Sequence, residues 1–313
     1  MTDIVGKRRW YFLFSSVIII AGLVAMGISV RRFGSPLRLS IDFTGGSLWE
    51  LTFEQPVPPA DVRQLFVDHG YGDTTVQTTL DAKTVLIRSK ELADGEKSKI
   101  RADLTAKFGP STELRFDQVG PTVGREVTRS ATMAIAAAAI VIMAFIVIAW
   151  RKVPHALRYG LCATAATFHD VLVTMGAFSI LGLLLGWEAD ALFLTAMLTV
   201  TGYSVQDTIV VFDRIRENIP KRRGEPYELI VNRSLLETLH RSLATQLNAI
   251  FILVAILFFG GATIRQFVAT LIIGLISGTY SSIFTAVPLL VVWEKGEVGS
   301  FFRRLLSRRP AQA

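Results

Sequence analysis

Apolar residues are gathered in six long windows, at residues 10–30, 130–150, 159–186, 191–212, 242–260 and 267–293. A hydrocarbon layer about 30 Å thick is crossed by roughly 20 helical residues. Backbone groups left unpaired in lipid are too costly for any open segment. Each window therefore predicts a membrane-spanning helix. The first follows Lys7, Arg8 and Arg9, as a secretory leader would. It is longer than the usual apolar core of about 7–15 residues and no clear small-x-small site follows it, so it reads as an uncleaved anchor.

Between the first two windows the pattern shortens and alternates. Residues 37–43 and 47–53 read as strands around Thr44-Gly45-Gly46. Pro58-Pro59 opens a helix to about His69, stopped by Gly70. Residues 74–80 and 84–89 read as a hairpin around Asp81-Ala82-Lys83, residues 95–108 as a helix ended by Gly109-Pro110, and residues 113–119 as a last strand. The order β-β-α-β-β-α-β contains the split β-α-β pattern of ferredoxin-like folds. No catalytic constellation stands in it, and its expected use is to bind or to pack. The predicted fold class is thus an α-helical polytopic membrane protein with six spans and one ferredoxin-like α/β extracytoplasmic domain. The expected organisation is a cytoplasmic N-terminus and first span (1–30), the outer domain (31–128), five more spans (129–293) and a basic tail (294–313).

Composition agrees: 51% of residues are hydrophobic and only 19% charged, against about 25% in soluble domains. Lys plus Arg number 33 against 26 Asp plus Glu, a net charge of +7. The surplus sits in short loops and at the ends: Lys7, Arg8 and Arg9; Arg151, Lys152 and Arg158; Arg214, Arg216, Lys221, Arg222, Arg223, Arg233 and Arg241; and Lys295, Arg303, Arg304, Arg308 and Arg309. The loop at 187–190 has no basic residue, and the one before the last window has only Arg265. Short basic loops stay in the cytoplasm, which places both termini inside and residues 31–128 outside. That outer segment is nearly neutral, with 13 basic and 14 acidic residues. The basic surplus is accordingly a topology signal and not a nucleic-acid footprint. The single cysteine, Cys162, excludes an internal disulfide and a Cys-based zinc site. His69, His155, His169 and His240 share no metal-ligand spacing, and no phosphate-binding loop or other cofactor motif is present.

A charge at mid-bilayer costs at least about 2.5–3.5 kcal/mol, so such residues are functional candidates. Asp170 in the third window shares a face with Thr167 and Thr174. Asp207 in the fourth shares one with Tyr203 and Ser204. Arg241, Thr245 and Asn248 line up on the fifth. These stripes are expected to face one another or a partner. Asp207 and Arg241 form either a static ion pair or a site where Asp207 takes up and releases a proton while Arg241 changes partner. Asp170 is either functional or a packing residue; its neighbour His169 points about 100° away on an ideal helix, which argues against a tight pair. Ser277, Ser281 and Ser282, with Gly274 and Gly278, read as small residues that let helices approach. Residues 213–217 read as a solvated helix end.

Several strings carry a resemblance: Asp42-Phe43-Thr44-Gly45-Gly46; residues 119–124 (V-G-P-T-V-G); His169-Asp170; residues 202–218, which open Gly202-Tyr203-Ser204 and include Asp207, Asp213 and Arg214; and residues 238–241. In this order, over nearly the whole chain, they resemble the SecF members of the SecD/SecF family of protein-export membrane proteins, related to resistance-nodulation-division transporters. The resemblance implies an accessory subunit in the bacterial inner membrane that uses the proton-motive force, without an enzymatic or ATPase activity of its own. It implies SecD, the SecYEG channel, YajC and translocating unfolded polypeptide as partners. It also implies that Asp207 and Arg241, and with them Asp170, take part in proton movement. Where SecD carries its carboxylate one position earlier, this chain has Gln206. Only one set of six windows is present, so a partner must supply the other half. A half-transporter for lipid or drug and a passive scaffold are the competing readings.

Overall fold

The computed structural model describes residues 3–78, 82–93, 95–149 and 156–296. In chain order its elements are α1 (Arg8–Phe33), α2 (Ile41–Thr44), β1 (Gly46–Phe53), α3 (Pro59–Asp68), β2 (Thr75–Thr78), β3 (Thr84–Ser89), α4 (Glu96–Phe108), β4 (Ser111–Val119), α5 (Pro121–Ala149), α6 (Ala156–Leu185), α7 (Ala191–Lys221), α8 (Tyr227–Phe259), α9 (Ala262–Ser281) and α10 (Val287–Glu294). They form two compact units, Leu39–Met133 and the joined stretches Met1–Arg38 and Ala134–Ala313.

In Leu39–Met133 the four strands make one sheet in the order β2-β3-β1-β4, all antiparallel. Trp49, Leu51 and Phe53 alternate onto one face of β1, as a half-buried strand requires, and are joined by Val85 and Ile87 of β3. Val62, Leu65 and Phe66 of α3 and Ile100 and Leu104 of α4 close the core over them. The expected strand at 37–43 is absent: residues 41–44 make the single turn α2. Ser40 Oγ accepts the Asp42 N–H at 3.2 Å and the Thr44 hydroxyl donates back to the Ser40 carbonyl at 3.0 Å. This local capping outweighs the alternating pattern. The expected hairpin keeps β2 and β3, while residues 79–81, Asp81 among them, lie outside the described residues.

Gly45 and Gly46 then turn the chain with φ of +73° and +116°, values that glycine adopts without strain. A Cβ on Gly46 would stand 2.5 Å from the Ser89 carbonyl oxygen, and one on Gly45 2.9 Å from the Pro121 Cα. The two glycine-bearing motifs therefore meet backbone to backbone within this unit.

Among the described residues, five helices are long and apolar enough to cross a membrane: Val5–Phe33, Pro121–Ile146, Leu157–Leu185, Tyr227–Phe259 and Ile264–Glu294. α7 is as long as these, but Thr195, Thr199, Thr201, Ser204, Gln206, Asp207 and Thr208 dilute its apolar character. The last window is interrupted: α9 ends at Ser281, Ser282–Ala286 form a wider π turn, and α10 follows with Pro288 in its first turn. The core of the helical unit gathers Ile146, Cys162, Ala166, Val211, Phe212, Leu235, Ala286 and Leu290. α1 and α6 touch where Gly22 faces Gly176; a Cβ built on Gly176 would lie 2.6 Å from the Gly22 Cα. At the chain start, Asn232 Oδ1 of α8 accepts the Ile4 and Val5 N–H groups. Residues 150–155, with Arg151 and Lys152, and the tail with Arg303, Arg304, Arg308 and Arg309 lie outside the described residues.

Candidate functional site

Two carboxylates lie deep in the helical unit. Asp170 on α6 is wholly buried. Its Oδ1 accepts from the Ser277 hydroxyl at 2.7 Å, and its Oδ2 from Ser204 and Ser281 at 2.6 Å each. His169 Nδ1 stands 3.1 Å from Oδ1. Three serine hydroxyls thus donate to the Asp170 carboxyl, and the His169 ring is its fourth partner. Contrary to the expectation from helix geometry, the adjacent His169 and Asp170 do pair. Thr167 bonds back to the Ala163 carbonyl instead, and the Thr174 hydroxyl is buried without a partner.

His169 carries the network to α1. Its Nε2 lies 3.1 Å from Ser15 Oγ, and its ring stacks on Tyr280 at 6.1 Å. The Tyr280 hydroxyl donates to the Tyr11 carbonyl at 2.9 Å. Asp170 and His169 therefore tie α1, α6, α7 and α9 together. Ser277 and Ser281, read from the sequence as packing residues, are carboxylate ligands in this cluster; Ser282 instead bonds back to the Thr279 carbonyl.

Asp207 on α7 is 5% exposed. The structure does not bring it together with Arg241, whose side chain is exposed on α8 along with Thr245 and Asn248. Its hydrogen-bond partner is Gln246, whose Nε2 donates to Oδ2 at 2.8 Å. Gln246 belongs to a second polar stripe on α8, Thr238, Ser242 and Gln246 at i, i+4 and i+8, and all three are buried. That spacing was visible in the sequence, but nothing there distinguished the buried stripe from the exposed one. Tyr203 is 41% exposed and does not join either carboxylate, while Ser204 turns from the expected Asp207 face to Asp170.

The charged exit of α7 is stitched rather than simply solvated. Asp213 pairs with Arg216 at 2.7 Å, and Arg214 reaches Glu237 of α8 at 2.6 Å. Asn218 Nδ2 donates to Ser234 Oγ and to Glu237. In the other unit, the Thr128 hydroxyl of α5 donates to the carbonyls of Phe43 and Gly124, fixing Asp42, Phe43, Thr44, Gly45 and Gly46 against the start of α5.

Residues 100–296 match the family described as "Protein export membrane protein SecD/SecF, C-terminal", and residues 33–57 match the "SecD/SecF GG Motif". The chain is 48% identical to the protein translocase subunit SecF of Thermobaculum terrenum, over 97% of this chain and 98% of that one. It is 47% identical to the protein translocase subunit SecF of Anaerolinea thermophila, over the full length of both. Among solved structures it resembles SecDF, a translocon-associated membrane protein, from Thermus thermophilus, with a TM-score of 0.77 and 30% identity. That match covers 94% of this chain and 39% of the SecDF chain. The super-membrane-facing form of SecDF gives a TM-score of 0.65 at 29% identity, over 97% of this chain and 40% of that one.

Proposed function

The chain belongs to the SecD/SecF family of protein-export membrane proteins, and from that premise we propose how it works as an accessory subunit of the Sec translocase. It uses the proton-motive force, together with SecD, to complete the translocation of secreted polypeptide. It does so in the bacterial inner membrane, beside the SecYEG channel and YajC.

Six helices span the bilayer in this reading, α7 being the sixth. Ser204 and Asp207 are bonded across a helix interface, and Thr195, Thr199, Thr201 and Thr208 bond back to carbonyls of α7 itself. Both termini are cytoplasmic. The extracytoplasmic segment, 31–128, is a ferredoxin-like domain, a reading supported by its β-α-β-β-α-β order after α2 and its β2-β3-β1-β4 sheet, and it contacts the emerging polypeptide. The division into 1–30, 31–128, 129–293 and 294–313 follows. SecD supplies the second half and covers the exposed stripe of Arg241, Thr245 and Asn248. A reporter fused after Arg309 is expected to be cytoplasmic and one inserted at Gly72 extracytoplasmic.

The observation that carries the mechanism is the setting of Asp207: a buried carboxyl on α7 whose partner is a neutral amide rather than a cation. In this reading Asp207 is the group that takes up and releases a proton, and Arg241 changes partner in the same cycle. Asp170 enters the cycle as the anchor that fixes α7 through Ser204. The membrane field supplies about 2.3 kcal/mol per charge per 100 mV, enough to shift a two-state helix arrangement more than tenfold.

The test is export into inverted vesicles carrying Asp207→Asn, at matched amounts of complex, with and without an uncoupler. The variant is expected to assemble with SecD, to lose the uncoupler-sensitive part of export and to keep the ATP-driven part. Full uncoupler sensitivity in an assembled variant would move the proton site elsewhere. Loss of assembly would favour the passive scaffold.

A further inference from the structure

We propose that Gln246 is the positioning residue for proton uptake at Asp207, and that it closes a two-bond acid–amide pair with the protonated carboxyl. This rests on Asp207 as the proton carrier and names the group that receives the proton's hydrogen bond.

Gln246 is 6% exposed, and its two polar atoms are used unequally. Nε2 donates to Asp207 Oδ2 at 2.8 Å, while Oε1 is buried and has no partner among the described residues. One turn earlier on the same face, the Ser242 hydroxyl is also buried and unpartnered. A primary amide offers donors on nitrogen and acceptor sites on oxygen; a carboxylate only accepts, whereas a protonated carboxyl adds one O–H donor. Facing the anion, the amide can use its nitrogen alone. Facing the acid, the O–H donates to Oε1 while the other carboxyl oxygen goes on accepting from Nε2. Two parallel bonds then close between two planar groups, and no charge remains. The only covalent change is the O–H bond on Asp207. Its proton comes from water on one side of the membrane and returns to water on the other.

On α6, His169 and Asp170 are bonded to each other and to serines. On α8, His240 and Arg241 are exposed, as is Arg265 on α9. Tyr280 of α9 donates to Tyr11, and Glu294 beyond α10's core residues pairs with Arg158. Among the described residues none of these bonds to Asp207. The contrast with Asp170 supports the assignment, since its two oxygens already meet three serine hydroxyls and the His169 ring, whereas the Gln246 amide stands alone on Asp207.

The experiment is infrared spectroscopy of the full chain in lipid bilayers across a pH series. The carboxylic-acid carbonyl band of Asp207 is identified by its loss in Asp207→Asn. In the unaltered chain it should lie at the low frequency of a hydrogen-bonded acid. In Gln246→Met it should move to the higher frequency of a free acid carbonyl, and Gln246→Glu, protonated at low pH, should restore the low position. Glutamine labelled with ¹³C at Cδ gives a reading without changing residue 246. Its side-chain carbonyl band should shift in step with Asp207 protonation, and should not shift in Asp207→Asn. An Asp207 band unmoved by Gln246→Met, or a labelled carbonyl blind to the titration, overturns the acid–amide pair. Absence of any Asp207 acid band at every pH overturns instead the reading of Asp207 as proton carrier.

Discussion

Asp170 and Asp207 are both buried on long helices, yet one is met by three serine hydroxyls and a histidine ring and the other by a single amide. A buried charge is tolerated when its lone pairs are filled. The four bonds of Asp170 make it expensive to change, and the helices that supply them are held with it. Asp207 has one bond to lose and an unpartnered acceptor, Gln246 Oε1, on the amide that holds it. The lesson is that connectivity rather than depth separates the carboxylate that ties four helices together from the one that a single amide holds.

The sharpest way to break this contrast is Asp170→Ala. It leaves three serine hydroxyls and His169 without their acceptor. A cost of about 3–5 kcal/mol is expected, read as early thermal unfolding in detergent and rapid proteolysis. A stable Asp170→Ala variant would mean that the four bonds do not hold the helices. Next comes Gly176→Ala, whose methyl would meet the Gly22 backbone. A loss of about 1–3 kcal/mol is expected, measured by the same unfolding, with α1 pushed away from α6 and the Ser15–His169 link weakened. Asp207→Asn should cost less than about 1 kcal/mol, because two amides can still pair; a loss near that of Asp170→Ala would erase the distinction.

A third carboxylate, in the other unit, gives the smallest effect and shows what an accessible pair does. Glu113 is partly buried, which pushes its carboxyl up. The Lys97 ammonium at 2.9 Å, the Trp49 indole and Arg101 outweigh this and hold it below the usual range. A lowered folded-state value means the contribution is present above the unfolded carboxylate range and is lost as pH falls through the folded value. Glu113→Gln should therefore flatten the acid limb of the unfolding curve of this unit, by no more than about 1 kcal/mol. Neutral-pH stability should change little.

Much of this was legible in the residue pattern, and the misses share a cause. Long apolar runs located the helices. Proline and glycine bracketed α3 and α4. What the pattern missed depends on contacts distant in sequence or on side chains folding back locally. α2 looked like a strand because Leu37, Leu39, Ile41 and Phe43 alternate, whereas Ser40 capping and the left-handed Gly45 decide the conformation. Ser277 and Ser281 looked like packing residues because their acceptor lies on another helix. Arg241 drew attention by its charge, although the neutral Gln246 is the group that faces Asp207.

The wide turn at Ser282–Ala286 has a consequence for how the length of the last span can vary. A π turn accommodates one residue more than an α-helical turn, and each α-helical residue advances the direction by about 100°. Upstream, Ser281 faces Asp170; downstream, Val287, Leu290 and Val291 face the core. Removing one residue from the wide turn would restore ordinary α-helix while keeping both faces aimed as they are. Removing one from α9 instead would swing the serines off the carboxylate or the valines out of the core. Single-residue length changes in this span are therefore tolerable at one address, between the carboxylate ligands and the apolar anchor, and disruptive on either side of it.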